Sequence, residues 1–193
     1  MDLIDPFGRT IRDLRISVTD RCNFRCTYCM PEEGMKWLPR SEVLSFEEIE
    51  RLARIFVERF EVDGLRLTGG EPLLRGDAVE VVRLITSLPK PPEVSVTTNA
   101  LRLAQLAAPL RDAGLTRVNV SLDTLDRQRF LELTKRDRFD DVIAGIKAAQ
   151  EAGLSPVKVN SVLMRGVNDD EAVPLLRRAL DEGWRLRFIE QMP

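Results

Sequence analysis

The heptapeptide "RVNVSLD" at residues 117–123 alternates without a break, placing Val118, Val120 and Leu122 on one face of an extended chain and Asn119, Ser121 and Asp123 on the other. The run Arg117–Leu122 therefore reads as a strand. Five more runs share its pattern: Asp13–Thr19, Gly64–Thr68, Glu93–Thr98, Pro156–Leu163 and Arg185–Glu190. Helical patterns separate them. The first opens at Ser45, with Glu48 completing a capping box, Leu44 and Ile49 set as a hydrophobic staple, and a stripe of Ile49, Leu52, Ala53, Phe56, Val57 and Phe60. Others are expected over 77–88, 102–113, 139–152 and 169–182, the last three stopped by Gly114, Gly153 and Gly183. Strands alternating with helices predict βα units around a parallel sheet.

One parity is apolar in all six runs: Leu14/Ile16/Val18, Leu65/Leu67, Val94/Val96, Val118/Val120/Leu122, Val157/Val159 and Leu186/Phe188. That face takes the helices. The other parity is polar throughout: Arg15/Ser17/Thr19, Arg66/Thr68, Ser95/Thr97/Asn99, Asn119/Ser121/Asp123, Lys158/Asn160 and Arg185/Arg187. A complete eight-stranded barrel normally takes about 250 residues and packs Val, Ile and Leu inward. Six strands with a polar inner parity predict instead an α/β fold, a partial (β/α)6-type TIM barrel of six parallel strands enclosing a cavity for a polar, anionic ligand. The alternative is an open sheet with one solvated face, which runs against the usual covering of parallel sheets on both sides. No linker, repeat or low-complexity segment divides residues 1–193, so one domain is expected.

Composition narrows the function classes. The chain is 44% hydrophobic and 31% charged, and its 29 basic and 31 acidic residues are interspersed, so nothing calls for nucleic acid or a membrane surface. There is no secretory pattern at the N-terminus and no apolar run of about 18 residues, which predicts a cytoplasmic protein. Histidine is absent. Its absence removes the usual general base, Ser-His-Asp and Cys-His nucleophile systems, and every His-containing metal site.

All three cysteines, Cys22, Cys26 and Cys29, lie in "DRCNFRCTYCMP" (20–31), spaced C-x3-C-x2-C between the first strand and the first helix. Three readings compete. Structural zinc normally takes four Cys or His ligands, and buried inert thiols are seldom clustered in a polar loop. A cubane iron–sulfur cluster is usually held by four thiolates, so three would leave one iron with an open position.

The spacing, with Tyr28 just before the last cysteine, resembles the radical S-adenosylmethionine superfamily. So do "LRLTGGEPLLR" (65–75), "VTTN" (96–99) and "VNVSLD" (118–123) at the ends of the next three strands. The resemblance implies that Cys22, Cys26 and Cys29 hold a 4Fe-4S cluster whose fourth iron is chelated by S-adenosylmethionine. It also implies that reductive cleavage of the sulfonium yields a 5′-deoxyadenosyl radical. Further runs, "DPFGRTIRDLRIS", "GLTRVNVSLDTLD", "VKVNSVLMRGVND" and "LRFIEQMP", resemble the branch that cyclises GTP for molybdenum cofactor biosynthesis. By that resemblance Tyr28, Gly70, Ser121 and Met192 contact S-adenosylmethionine, with Gly69 and Gly70 admitting its amino group. Arg15, Arg66, Thr97, Lys158 and Arg187 contact GTP.

The residues agree independently, since Arg15, Arg66 and Lys158 share the inner parity. Three charge-assisted hydrogen bonds at about 1.5–3 kcal/mol each would supply much of the ~8 kcal/mol of micromolar binding. The implied partners are the small molecule GTP and a reducing electron donor, with oligomeric state left open and a homodimer one option. Two competitors remain: another radical enzyme acting on a peptide or different nucleotide, and a non-catalytic iron–sulfur scaffold.

This sequence departs from the branch in three ways. Ala100 stands where a glycine usually follows TTN, and Gln191 where an aromatic commonly precedes Met-Pro. The C-terminal region of the branch, with three more cysteines and a second cluster, has no counterpart in these 193 residues. The expectation is a missing C-terminal part and poor turnover of GTP by this chain.

Overall fold

The computed structural model describes residues 3–31 and 33–191. Six strands form one parallel sheet in sequential order: β1 (Asp13–Ser17), β2 (Gly64–Thr68), β3 (Glu93–Thr98), β4 (Arg117–Ser121), β5 (Lys158–Leu163) and β6 (Arg185–Glu190). Each neighbouring pair is parallel and in continuous register, Leu14 opposite Leu65, Leu65 opposite Val94, and Val96 opposite Val118. The sheet is open between β6 and β1, so the fold is a partial barrel. No helix among the described residues is long and apolar enough to cross a membrane.

The apolar parity is the core: Leu65, Leu67, Val94, Val96, Val118, Val120 and Val159 are all buried beneath the helices. α1 (Phe46–Phe60) carries the expected capping box, the Glu48 amide donating to Ser45 Oγ (3.3 Å) and the Ser45 amide to Glu48 Oε2 (2.8 Å). The stripe is narrower than its sequence suggests. Ile49, Ala53 and Val57 face the sheet in an i, i+4 row, whereas Leu52 is 38% exposed and Phe56 pairs sideways with Phe60. Leu44 is likewise largely exposed. The sheet covers only part of the helix's apolar arc.

The later helices are α2 (Ala78–Thr86), α3 (Leu103–Asp112), α4 (Arg127–Thr134), α5 (Phe139–Glu151) and α6 (Ala172–Glu182). α4 is an addition to the expected set. With eight residues and a polar sequence, it offers too few apolar positions for its period to register, although Asp126 caps it by accepting from the Arg129 amide (2.7 Å). Three strands are shorter than expected. β1 ends at Ser17 and β4 at Ser121, while β5 begins only at Lys158, Pro156 having no N–H to give the ladder.

α3 and α5 pack closely at Gly145, where an added Cβ would lie 2.2 Å from the Ala100 carbonyl oxygen. Ala100 itself has φ +64°, so the chain holds an alanine in the left-handed region, which L side chains rarely adopt. Replacing Gly145 by alanine is expected to destabilise the fold by about 1–3 kcal/mol, backbone clash outweighing the ~1 kcal/mol gain in helix propensity. Chemical denaturation checks it; an unchanged or raised midpoint contradicts this packing.

Candidate functional site

The cysteine loop between β1 and α1 is docked, not free-standing. The amides of Arg25 and Thr27 donate to the carbonyls of Thr134 and Leu133 at the end of α4 (both 2.9 Å), and Phe24 packs edge-on against Phe130 at 5.8 Å. Two guanidiniums grip its backbone from outside. Arg25 donates to the carbonyls of Cys22 (2.8 Å) and Phe24 (2.7 Å), and Arg136 Nε donates to that of Asn23 (3.1 Å).

The turn after β2 meets the start of this loop. Gly70 N donates to Thr19 O (2.8 Å) and Glu71 N to Arg21 O (2.7 Å). Any Cβ on Gly69 would sit 2.2 Å from Thr19 O, and one on Gly70 would sit 2.4 Å from Arg21 O and 2.5 Å from Asp20 O. In this structure the two glycines are therefore required by the approach of one stretch of the chain to another. Glu71 follows with its carboxylate wholly buried, accepting from the Leu73 amide (3.0 Å), Thr98 Oγ1 (2.7 Å) and the Asn99 amide (2.7 Å). Burial pushes its pKa up against the pull of those bonds. Asn99 extends the tie to the cysteine loop, its Nδ2 donating to Asn23 Oδ1 at 2.7 Å.

A second tie comes from the end of β4. The Tyr28 hydroxyl donates to Asp123 Oδ2 (2.6 Å) and the Val162 amide to Asp123 Oδ1 (2.8 Å). Burial raises the pKa of both side chains, and the neighbouring carboxylate raises that of Tyr28 further. Asn168 braces this corner by donating to the carbonyls of Asp123 (2.7 Å) and Val162 (2.9 Å).

These ties frame two adjoining hollows. The first, about 270 Å³, is lined by Cys22, Cys26, Cys29, Gly70, Asn99 and Ser121. The second, about 210 Å³, is lined by Arg15, Arg66, Thr97, Ser121, Asn160 and Arg187. Tyr28, Thr68, Thr97, Ser121, Asp123 and Val162 are shared walls. Lys158 is not in the wall of the second hollow; it sits two residues below Asn160 on β5, one inward position deeper. Met192 lies outside the described residues. Sequence reasoning gave no tying role to Glu71, Asn99, Asp123 or Asn23; only the GGEP and TTN runs hinted at the first two.

The donor set fits a soft metal group. The cysteines are unpaired, Cys22 and Cys26 half-buried and Cys29 exposed. Burial raises the pKa of Cys22 and pushes that of Cys26 up to about 12, so loading requires displacement of protons. Among the described residues no three Cys, Asp or Glu groups converge as ligands of one ion. Thiolates of a cubane each bind a different iron and need no such convergence.

The second hollow is lined by three arginines, Arg15, Arg66 and Arg187, with Asp123 in the wall it shares with the first. Burial lowers the pKa of Arg66, with Arg15 and Arg117 adding to the effect. Lys158 is lowered by burial and then by Arg117, Arg187, Arg66 and Arg185. Mutually repelling cations around one hollow suit an anionic occupant.

Comparison with known proteins bears on this arrangement. The chain is 56% identical over 191 residues to a GTP 3′,8-cyclase of Streptomyces coelicolor, covering 99% of this chain and 56% of that protein. A GTP 3′,8-cyclase of Paenarthrobacter nicotinovorans is 54% identical, with 99% and 54% covered. The chain thus spans about half the length of these curated relatives. Among solved structures, Streptococcus suis SuiB bound to the precursor peptide SuiA superposes with a TM-score of 0.73 at 22% identity, covering 94% of this chain and 39% of SuiB. HydG, a maturase of the [FeFe]-hydrogenase, gives 0.70 at 16% identity, covering 94% of this chain and 43% of HydG. Those two likenesses establish the fold. The profile of the Radical SAM superfamily matches residues 16–179, a family that implies a 4Fe-4S cluster and S-adenosylmethionine. Carrying that match together with the three-thiol loop on the open end of a partial barrel, the chain belongs to the radical SAM superfamily.

Proposed function

We propose that this chain is the radical core, residues 1–193, of a GTP 3′,8-cyclase, converting GTP to 3′,8-cyclo-7,8-dihydroguanosine 5′-triphosphate in molybdenum cofactor biosynthesis. The observation that carries the reading is the shared wall between the thiol-lined hollow and the cation-lined one, in a chain more than half identical to proteins of that name. When bound, a reduced 4Fe-4S cluster with S-adenosylmethionine supplies a 5′-deoxyadenosyl radical able to take the 3′ hydrogen of GTP. The reaction joins C3′ of the ribose to C8 of guanine. It draws its electron from a reducing donor and takes place in the cytoplasm.

Each residue has a role in this reading. Cys22, Cys26 and Cys29 hold three irons and leave the fourth for S-adenosylmethionine. Tyr28, Gly70, Ser121 and Met192 contact that cofactor, and Arg15, Arg66, Thr97, Lys158 and Arg187 contact GTP. Glu71, Asn99 and Asp123 hold the cysteine loop against the strand ends, so that a group carried by the thiols would face the hollow lined by the cations. The polyanion neutralises cations that otherwise repel one another. A radical hydrogen abstraction needs no general base, in keeping with a chain without histidine.

Anaerobic reconstitution with iron and sulfide is expected to give about four irons per chain, with an electron paramagnetic resonance signal that shifts on adding S-adenosylmethionine. Cys26→Ser should abolish both. A cluster blind to S-adenosylmethionine contradicts the open-iron reading. Calorimetric titration with GTP should show Arg66→Ala weakening binding by about tenfold or more, the loss of a hydrogen bond to a charged group. Unchanged affinity removes Arg66 from the substrate site.

A further inference from the structure

On the outer side of the cysteine loop lies an open basin that neither the cofactor reading nor the substrate reading uses. It is about 470 Å³ in volume and is lined by Arg25 of the loop and by Gln128, Leu131, Glu132, Lys135 and Arg136 of α4 and its end. Three cations thus stand with one carboxylate, in a chain whose formal net charge is −2. One cation at the end of so short a helix would answer its dipole; three exceed it.

The other arginines around α4 are paired with acids. Arg127 meets Asp137 and Asp140, Arg129 meets Asp170 and Glu171, and Arg138 meets Asp141. Arg25 and Arg136 form no ion pair among the described residues. Their hydrogen bonds go to the uncharged carbonyls of Cys22, Phe24, Asn23 and Lys135, and Arg25 also lies over the Trp37 ring at 5.4 Å. The two guanidiniums therefore give the basin a positive field, with the half-buried Leu131 as its apolar element.

Position decides the kind of partner. The inner side of the thiols faces a hollow of about 270 Å³, too small to admit a protein. An electron brought by a carrier protein has to cross the loop from outside, and Arg25 joins the basin directly to the backbone of Cys22 at 2.8 Å.

We propose that this basin docks an acidic one-electron carrier protein, with Arg25, Lys135 and Arg136 steering its approach. The inference rests on the reading of Cys22, Cys26 and Cys29 as cluster ligands. In the docked pair one electron passes from carrier to cluster: the carrier is oxidised by one electron, the cluster is reduced by one, and no bond or proton moves.

The test uses Gln128 and Glu132, both exposed, one turn apart on α4 and joined by a hydrogen bond of 3.0 Å. Gln128→Glu adds a negative charge to the basin and Glu132→Gln removes one, with little change of shape. Biolayer interferometry follows association of a plant-type ferredoxin with the chain, both iron-free and reconstituted. Stopped flow follows reduction of the reconstituted cluster by the same ferredoxin, reduced, and by photoreduced deazariboflavin, which is small and uncharged. At low salt Gln128→Glu is expected to slow association and ferredoxin-driven reduction by about two- to threefold, and Glu132→Gln to speed both by as much. Both effects should fade toward ~1 M salt, where the screening length is only ~3 Å. Reduction by deazariboflavin should not move. A cluster that deazariboflavin reduces, with ferredoxin association indifferent to both variants and to salt, overturns the docking surface and leaves the cluster reading standing. Variants that shift both reductants alike also overturn it. Should the iron-free chain associate with the expected charge dependence while no cluster can be reconstituted, the acidic-protein site stands and the cluster reading falls.

Discussion

A single buried carboxylate holds the business end of this molecule together. Glu71 closes the turn after β2 and accepts three hydrogen bonds, one from its own turn and two from the end of β3. Parallel strands have no hairpin to fix their carboxyl ends relative to one another, so some other contact must do so. Glu71 does it at one seam and Asp123 at another, joining Tyr28 to β5. Each is wholly satisfied, which is why a buried acid is tolerated there: the desolvation cost is offset by donors aimed at both oxygens.

The cysteine loop inherits its position from these two ties. Asn99, fixed through its amide by Glu71, reaches Asn23 between the first two cysteines, and Asp123 holds Tyr28 just before the third. The loop's outer side is closed by α4 and by the guanidiniums of Arg25 and Arg136. The thiols therefore line a hollow whose far wall is made of strand ends. A group held there stands one side chain away from whatever the cations hold, and Thr97, Ser121 and Asp123 border both.

The inner face is where the chain departs from rules of stability. A barrel interior of this kind would ordinarily be filled with branched apolar residues. Here it presents arginines and a lysine that repel one another, together with an unmade amide donor at Asn119. Such local conflicts, set inside an otherwise consistent fold, mark places kept for a ligand instead of for packing. The apolar outer face, covered by helices over β1 to β5 while Phe188 on β6 stays 38% exposed instead of joining it as expected, carries the stability that the inner face forgoes.

Much of this was legible before any folding. The strands at Gly64–Thr68, Glu93–Thr98 and Arg185–Glu190 match their expected bounds, and the Ser45 capping box is present, because side-chain alternation and helix caps are written in neighbouring residues. The polar inner parity and the three-thiol loop were equally local. What the chain could not declare locally were contacts between distant residues. Tyr28 meets Asp123 across 95 positions and Asn23 meets Asn99 across 76, and nothing in either stretch specifies the other. The placing of Lys158 beneath the hollow, the burial of Asn119 and the docking of α4 under the cysteines follow from strand register and packing. Those are properties of the assembled sheet, since period two says which face a side chain takes but not how deep along the barrel it comes to rest.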